Sequence, residues 1–129
     1  MNYKIRCIIK RPDEQYGHVT NISNRLENLQ KTVEGYIETV PLKKSADGKD
    51  IILICNEEGK LRGLPHNFFF MGDEFVGTII VCGVDGEDFG DLPLTFGLAE
   101  WKQFLQKETC TEADLNMPTF AELYGGAER

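Results

Sequence analysis

The sequence holds no long hydrophobic run. Its most apolar stretches, "DIILIC" and "FVGTIIVC", fall well short of the roughly 18 residues that a membrane-spanning helix needs. The N-terminus "MNYKIRCIIKRPDEQ" has a short apolar patch followed at once by charge. That is too brief for a signal-peptide core, so a cytoplasmic location is expected. Close cysteine pairs are absent as well. Cys7, Cys55, Cys82 and Cys110 stand far apart, and three of them lie in apolar, strand-like runs, which reads as reduced thiols packed as small hydrophobes. Neither His18 nor His66 has the spacing to a cysteine that a zinc site requires, so no metal is expected.

Catalytic signatures are missing too. No GxxxxGK[ST] or GxGxxG run occurs, so a loop cradling phosphates through its backbone N–H groups is not expected. Ser23 and Ser45 fall in turn segments away from both histidines, whereas a serine nucleophile needs a base beside it. A hairpin could bring Cys55 to His66, but a cysteine that ends "IILIC" belongs to a buried strand. Glu57 and Glu58 are adjacent, so on a strand they point to opposite faces and cannot share a proton. The run "DGEDFGD" (85–91) carries four acids without the spacing of an EF-hand loop. Neither an enzyme nor a cofactor is expected.

What is present is an ordinary globular composition, 41% hydrophobic and 27% charged. A chain of 129 residues fits one domain spanning 1–129 and is long enough to bury a core. The net charge of −7 is uneven: residues 1–62 carry 11 Lys/Arg against 9 Asp/Glu, and residues 63–129 carry 3 against 12. Such a chain repels phosphate backbones, which disfavours direct nucleic-acid binding. The acidic half either keeps the chain dispersed in water or docks onto a basic partner.

Along the chain, "YKIRCIIK" (3–10) and "HVTNI" (18–22) read as strands separated by turn chemistry. A helix over 24–34 is expected, capped by Asn24 with Glu27 three residues on, striped by Leu26, Leu29 and Val33, and ended by a left-handed Gly35. "YIETVPL" (36–42) alternates as a strand, and Asp47-Gly48 marks a turn. "IILICN" (51–56) and "FVGTIIVCGV" (75–84) are apolar enough to be central strands, with "KLRGL" a short strand pairing back and "DGEDFGDLP" a loop. A second helix is expected over 96–108 with Leu98, Trp101 and Leu105 on one face. A capped turn at Thr111 and Asp114 follows, then a short helix from Pro118 to Gly125. The fold class is α+β: a single, largely antiparallel sheet with one or two helices packed on it and a short helical tail.

The segment "CNEEGKLRGLPHNFF" (55–69) asks for more than a connection. A hairpin with Gly59 at positive φ and Asn56 capping the turn accounts for its first half. Gly63, Pro65, His66 and Asn67 have no evident local role, and they run into three phenylalanines, 68 to 70. An aromatic ring beside amide and imidazole groups suits a planar ligand.

The runs "LENLQKTVEGYIETVPL", "ILICNEEGKLRGLPHN" and "GDEFVGTIIVCGVDGEDF" resemble a family of small proteins from bacteriophages, mobile elements and Gram-positive gut bacteria, described only as a domain of unknown function. The resemblance covers about residues 3–90 and is most specific in "CNEEGK-x-x-GLP-x-N", at Asn56, Gly59, Gly63, Pro65 and Asn67. It implies a setting and no activity. The expectation is therefore a non-enzymatic binding protein of phage or mobile-element origin that sequesters a small anionic or nucleotide-like ligand. Lys60 and Arg62 would meet the anion, Asn56 and Asn67 would hydrogen-bond, and His66 and Phe68 would stack. The alternatives are an acidic inhibitor that binds a host protein, acting as a nucleic-acid mimic, and a small structural or regulatory homodimer.

Overall fold

The computed structural model describes residues 3–116. Ten elements follow in order: β1 (Lys4–Lys10), β2 (His18–Ser23), α1 (Leu26–Val33), β3 (Ile37–Lys44), β4 (Asp50–Asn56), β5 (His66–Phe70), β6 (Asp73–Val76), β7 (Ile79–Asp85), β8 (Asp88–Gly90) and α2 (Leu98–Asn116). The main sheet has the order β2-β1-β7-β4-β3, and β8 pairs with the far end of β7. Every pairing in it is antiparallel. The fold is α+β with a largely antiparallel sheet, as the alternation of apolar runs and turn residues predicts.

The three inner strands are apolar on both faces because both faces are covered. On β7, Ile79 and Val81 enter one core cluster while Ile80 and Cys82 enter the other. Ile51, Leu53 and Cys55 of β4 join the first cluster with Ile8, and Ile54 joins the second with Ile5, Cys7 and Ile9. Helix α1 covers the second face through Leu29 and Val33. The β5–β6 hairpin and α2 cover the first, where Phe68 and Trp101 are almost fully buried. Each such side chain stabilises the fold by roughly 1.5–3 kcal/mol through removal from water.

Several expectations are corrected. Helix α1 starts later, with Arg25 in extended conformation at the N-cap and no side-chain cap. Asn24 instead donates from Nδ2 to the Phe89 carbonyl at 3.1 Å, tying the start of the helix to β8. Leu26 is 55% exposed, so the buried stripe is Leu29 and Val33. The left-handed residue at the helix end is Glu34 (φ 68), not Gly35. Gly35 is needed for space: a Cβ there would lie 2.6 Å from Asn56 Nδ2 and 2.8 Å from Arg62 Nη1.

The run 75–84 is not one strand. Gly77 (φ 75) breaks it into β6 and β7, and its N–H donates to the Pro65 carbonyl at 2.7 Å. The "KLRGL" segment is no strand either; residues 57–63 wind through successive turns, with Arg62 N–H bonded to Glu58 O and Leu64 N–H to Gly59 O. The glycine at positive φ there is Gly63 (φ 70), whereas Gly59 sits where a Cβ would come 2.7 Å from Val76 Cγ2. The expected 85–93 loop contains β8. Helix α2 runs from Leu98 through Asn116, so Thr111 and Asp114 lie within it and start no new turn. The short helix expected from Pro118 to Gly125 falls outside the described residues. Among the described residues no helix is long and apolar enough to cross a membrane.

Candidate functional site

The 55–69 segment is held by bonds that its own residues make to the rest of the fold. Asn56 is buried; its Nδ2 donates to the Val33 carbonyl at 3.0 Å and its Oδ1 accepts the Glu58 N–H at 2.7 Å. It thereby satisfies the last turn of α1 and the first turn after β4 together. Arg62 donates to the Glu34 carbonyl and secures the same helix end. Asn67 is buried at a bulge in β5, where an extra residue re-aims the side chain inward. Its Nδ2 donates to the carbonyls of Lys10 (2.9 Å) and Gly77 (2.8 Å), and its Oδ1 accepts from Lys10 Nζ at 2.7 Å. Phe68 is core, stacked on Phe75 at 5.4 Å and edge-on to Trp101 at 5.8 Å.

The outward residues are paired more loosely. Lys60 Nζ donates to Asp73 Oδ1 at 2.8 Å, which raises the lysine pKa and lowers that of the aspartate. His66 Nδ1 lies 2.8 Å from Glu74 Oε2, and its ring packs against Phe69 at 4.8 Å. Phe69 is thus the half-exposed aromatic beside the imidazole. Asn56 and Lys60 share a cleft of about 300 Å³, whereas Arg62, His66, Asn67 and Phe68 do not line it. Among the described residues its walls carry Glu38, Glu57, Glu58, Asp73 and Glu74 against Lys60 alone, a balance that repels an anion.

A larger cleft, of about 740 Å³, opens between the end of β3, the end of β5 and the first turns of α2. Its floor is apolar: Leu42, Phe70, Phe96 and Phe104. Leu42 reaches it because the edge strand β3 bulges between Pro41 and Lys43, where a proline is tolerated. Phe70 packs on Phe104 at 5.5 Å. The rim is basic. Lys43 Nζ stands 5.8 Å over the Phe96 ring, Lys44 is ion-paired with Asp50 at 2.6 Å, and Lys107 adds a third ammonium. Among the described residues Glu100 is the one carboxylate that lines the cleft, with Asp50 and Asp47 just outside the lining, and its Oε1 accepts the Gly97 N–H at 2.8 Å at the start of α2. The tip of the β3–β4 connection is fixed beside the cleft by Asp47, which accepts from the hydroxyls of Ser45 and Thr95. Those bonds hold the Asp47 carboxyl below its ordinary pKa, Ser45 having the larger effect.

No local pattern in the sequence marks this cleft. Lys43 and Lys44 read as a solvated tip, and Phe96 stands some fifty residues away with nothing nearby to connect them.

The thiols are quiet. Burial pushes the pKa values of Cys7 and Cys82 to about 12 and that of Cys55 to about 11, so all three are protonated at neutral pH. Among the described residues no group of three or more His, Cys, Asp or Glu gathers as a metal site.

No curated protein and no solved structure matches this chain. One family profile matches residues 5–104, beyond the 3–90 of the resemblance, and so takes in Phe96 and Phe104 of the basic-rimmed cleft. The chain therefore belongs to the family described as a domain of unknown function, DUF3846.

Proposed function

We propose that this chain is a non-catalytic binding protein, of bacteriophage or mobile-element origin, that sequesters a small anionic ligand with a planar, nucleotide-like body. The observation that carries the reading is the larger cleft: Lys43, Lys44 and Lys107 above an aromatic floor, in a chain of net charge −7. Local positive charge against an overall negative field selects an anion at that place and discourages long polyanions elsewhere. A phenylalanine floor accepts a flat ring, and about 740 Å³ lies within the ordinary range for small-molecule clefts. The resemblance through "CNEEGK-x-x-GLP-x-N" supports the origin, and removal of a host signalling molecule in the cytoplasm would serve such an element against host defence.

The test is a titration of the purified chain with AMP and GMP, read by thermal shift and native mass spectrometry. The wild type should be stabilised, less so at high salt, and the Lys43→Glu/Lys44→Glu double variant should lose the effect while keeping its fold. Binding that survives the double reversal, or no nucleotide-dependent shift in the wild type, sinks the reading.

A second reading has its own support. The β7–β8 turn exposes Asp85, Glu87 and Asp88, and none of them forms an ion pair among the described residues. An acidic patch of this kind suits a basic protein groove. It would be favoured by a basic host protein that binds the wild type and is released by the Asp85→Asn/Asp88→Asn variant.

A further inference from the structure

Lys10 is only 3% exposed, and among the described residues no carboxylate lies within ion-pair distance of its ammonium. Burying a charge without a counter-charge is costly. Burial accordingly pulls the Lys10 pKa below the ordinary lysine value, while the more distant Glu14 and Asp13 act to raise it. The ammonium has three N–H donors. One donates to Asn67 Oδ1 at 2.7 Å, and a second reaches the Asn67 carbonyl only at 3.5 Å. Among the described residues at least one donor is left over.

That surplus borders a small cavity. Lys10 lines a space of about 170 Å³ together with Tyr16, Gln15, Gln106, Phe68 and Leu105. The Tyr16 hydroxyl accepts from Gln15 Nε2 at 3.2 Å and from Gln106 Nε2 at 2.9 Å. Both contacts are at the exposed side of the pocket, so the hydroxyl proton meets solvent and is available to a ligand there. Lys102 stands 5.2 Å over the Tyr16 ring and adds positive charge on the same side. The Tyr16 backbone is itself fixed, because its carbonyl accepts the Trp101 indole N–H at 2.7 Å. The pocket therefore offers one buried donor short of partners, from Lys10, and one at its exposed side, from Tyr16, with Phe68 and Leu105 as an apolar wall.

We infer that this cavity is a binding site for a small free carboxylic acid with a short apolar body, its carboxylate held by Lys10 and the Tyr16 hydroxyl. At about 30 Å³ per water, the space equals roughly five or six waters. It suits a short-chain acid, and none of its lining residues lines the cleft beneath Lys43, so the two sites are distinct. The carboxylate supplies two acceptor oxygens and the counter-charge that Lys10 lacks. The alkyl stub suits Phe68 and Leu105, whereas inorganic phosphate would leave that wall uncovered.

Sodium propionate is titrated into the full chain at constant ionic strength set with sodium chloride, and the Asn67 side-chain amide is followed by NMR. A saturable shift is expected, with no effect from neutral propionamide and a weaker one from phosphate. Lys10→Met should weaken binding about tenfold or more, the usual scale for losing a charge-assisted hydrogen bond. Tyr16→Phe keeps the ring and should weaken it several-fold, which decides the matter even where Lys10→Met fails to fold. Lys43→Glu/Lys44→Glu should leave the propionate response unchanged. No saturable shift beyond that of chloride overturns the inference. So does wild-type affinity in Tyr16→Phe, or loss of the response in the Lys43 and Lys44 variant.

Discussion

Asn67 and Lys10 hold each other twice: the asparagine Nδ2 donates to the lysine carbonyl at 2.9 Å, and the lysine Nζ donates to the asparagine Oδ1 at 2.7 Å. The pair joins β5 to the end of β1 across 57 positions of sequence, so the β5–β6 hairpin is pinned to the sheet by a side chain. Asn67→Ala leaves three buried groups, Lys10 Nζ and the carbonyls of Lys10 and Gly77, short of a partner. At roughly 1–3 kcal/mol for each such group, the loss should be about 3 kcal/mol or more. Urea melts check this, and a change in midpoint worth under about 1 kcal/mol would contradict it.

Helix α1 has an N-cap residue in the right backbone conformation and the wrong chemistry. Arg25 is extended (φ −99, ψ 142) and forms no side-chain cap bond. Arg25→Ser should stabilise the chain by about 1 kcal/mol, because serine supplies an acceptor for the free N–H groups of the first turn. The exposed contact of Arg25 with Glu27 at 3.9 Å is too weak to offset that gain. A lower melting midpoint in Arg25→Ser would refute the assignment of the helix start.

The two glycines of the winding segment should respond to different rescues. Gly63 is at φ 70, and a Cβ added there would meet nothing within 4 Å, so Gly63→Asn should be nearly neutral. Gly63→Val should cost about 1–2 kcal/mol from backbone strain. Gly59→Ala instead collides with Val76 Cγ2 at 2.7 Å, so its cost should shrink in combination with Val76→Ala. Additive behaviour of that pair in a double-mutant cycle would exclude the contact.

Asp47 gives the tip of the β3–β4 connection a pH dependence of known sign. Its folded pKa is depressed by the hydroxyls of Ser45 and Thr95, so its stabilising effect is complete above the unfolded carboxylate pKa. The effect is lost as pH falls through the folded value. The melting difference between wild type and Asp47→Asn should therefore be largest near pH 7 and close as pH falls below about 4. A difference that stays constant down to about pH 2 would argue against the shift.

How far the sequence could be read follows from the range of the forces involved. β1, β4 and β7 were legible because strands covered on both faces need continuous apolar runs, and "IILIC" and "IIVC" supply them. The break at Gly77 was hidden because a single left-handed glycine interrupts an apolar run without changing its character. Met71 and Gly72, both at positive φ, make the tight β5–β6 turn, yet methionine carries no turn signal. Asn24 has the composition of a cap, but the Phe89 carbonyl, 65 residues away, takes its side chain. The same holds for the candidate site. Asn56, Arg62 and Asn67 looked like residues awaiting a partner, and in the structure each bonds a backbone carbonyl that no local pattern could reveal.

The position of β7 also dictates an order of assembly. It lies between β1 and β4, pairing Ile9 with Ile80 and Ile54 with Ile80, although both neighbours precede it by more than twenty residues. On the ribosome, the β1–β2 and β3–β4 hairpins emerge first, each with one bare apolar strand waiting for a partner not yet made. The chain closes only when the keystone strand arrives, so its folding rate is governed by long-range loop closure. Fragments ending before residue 79 should accordingly associate with one another through those two waiting edges, whereas a chain that includes β7 should not once it has folded, because β7 then occupies both.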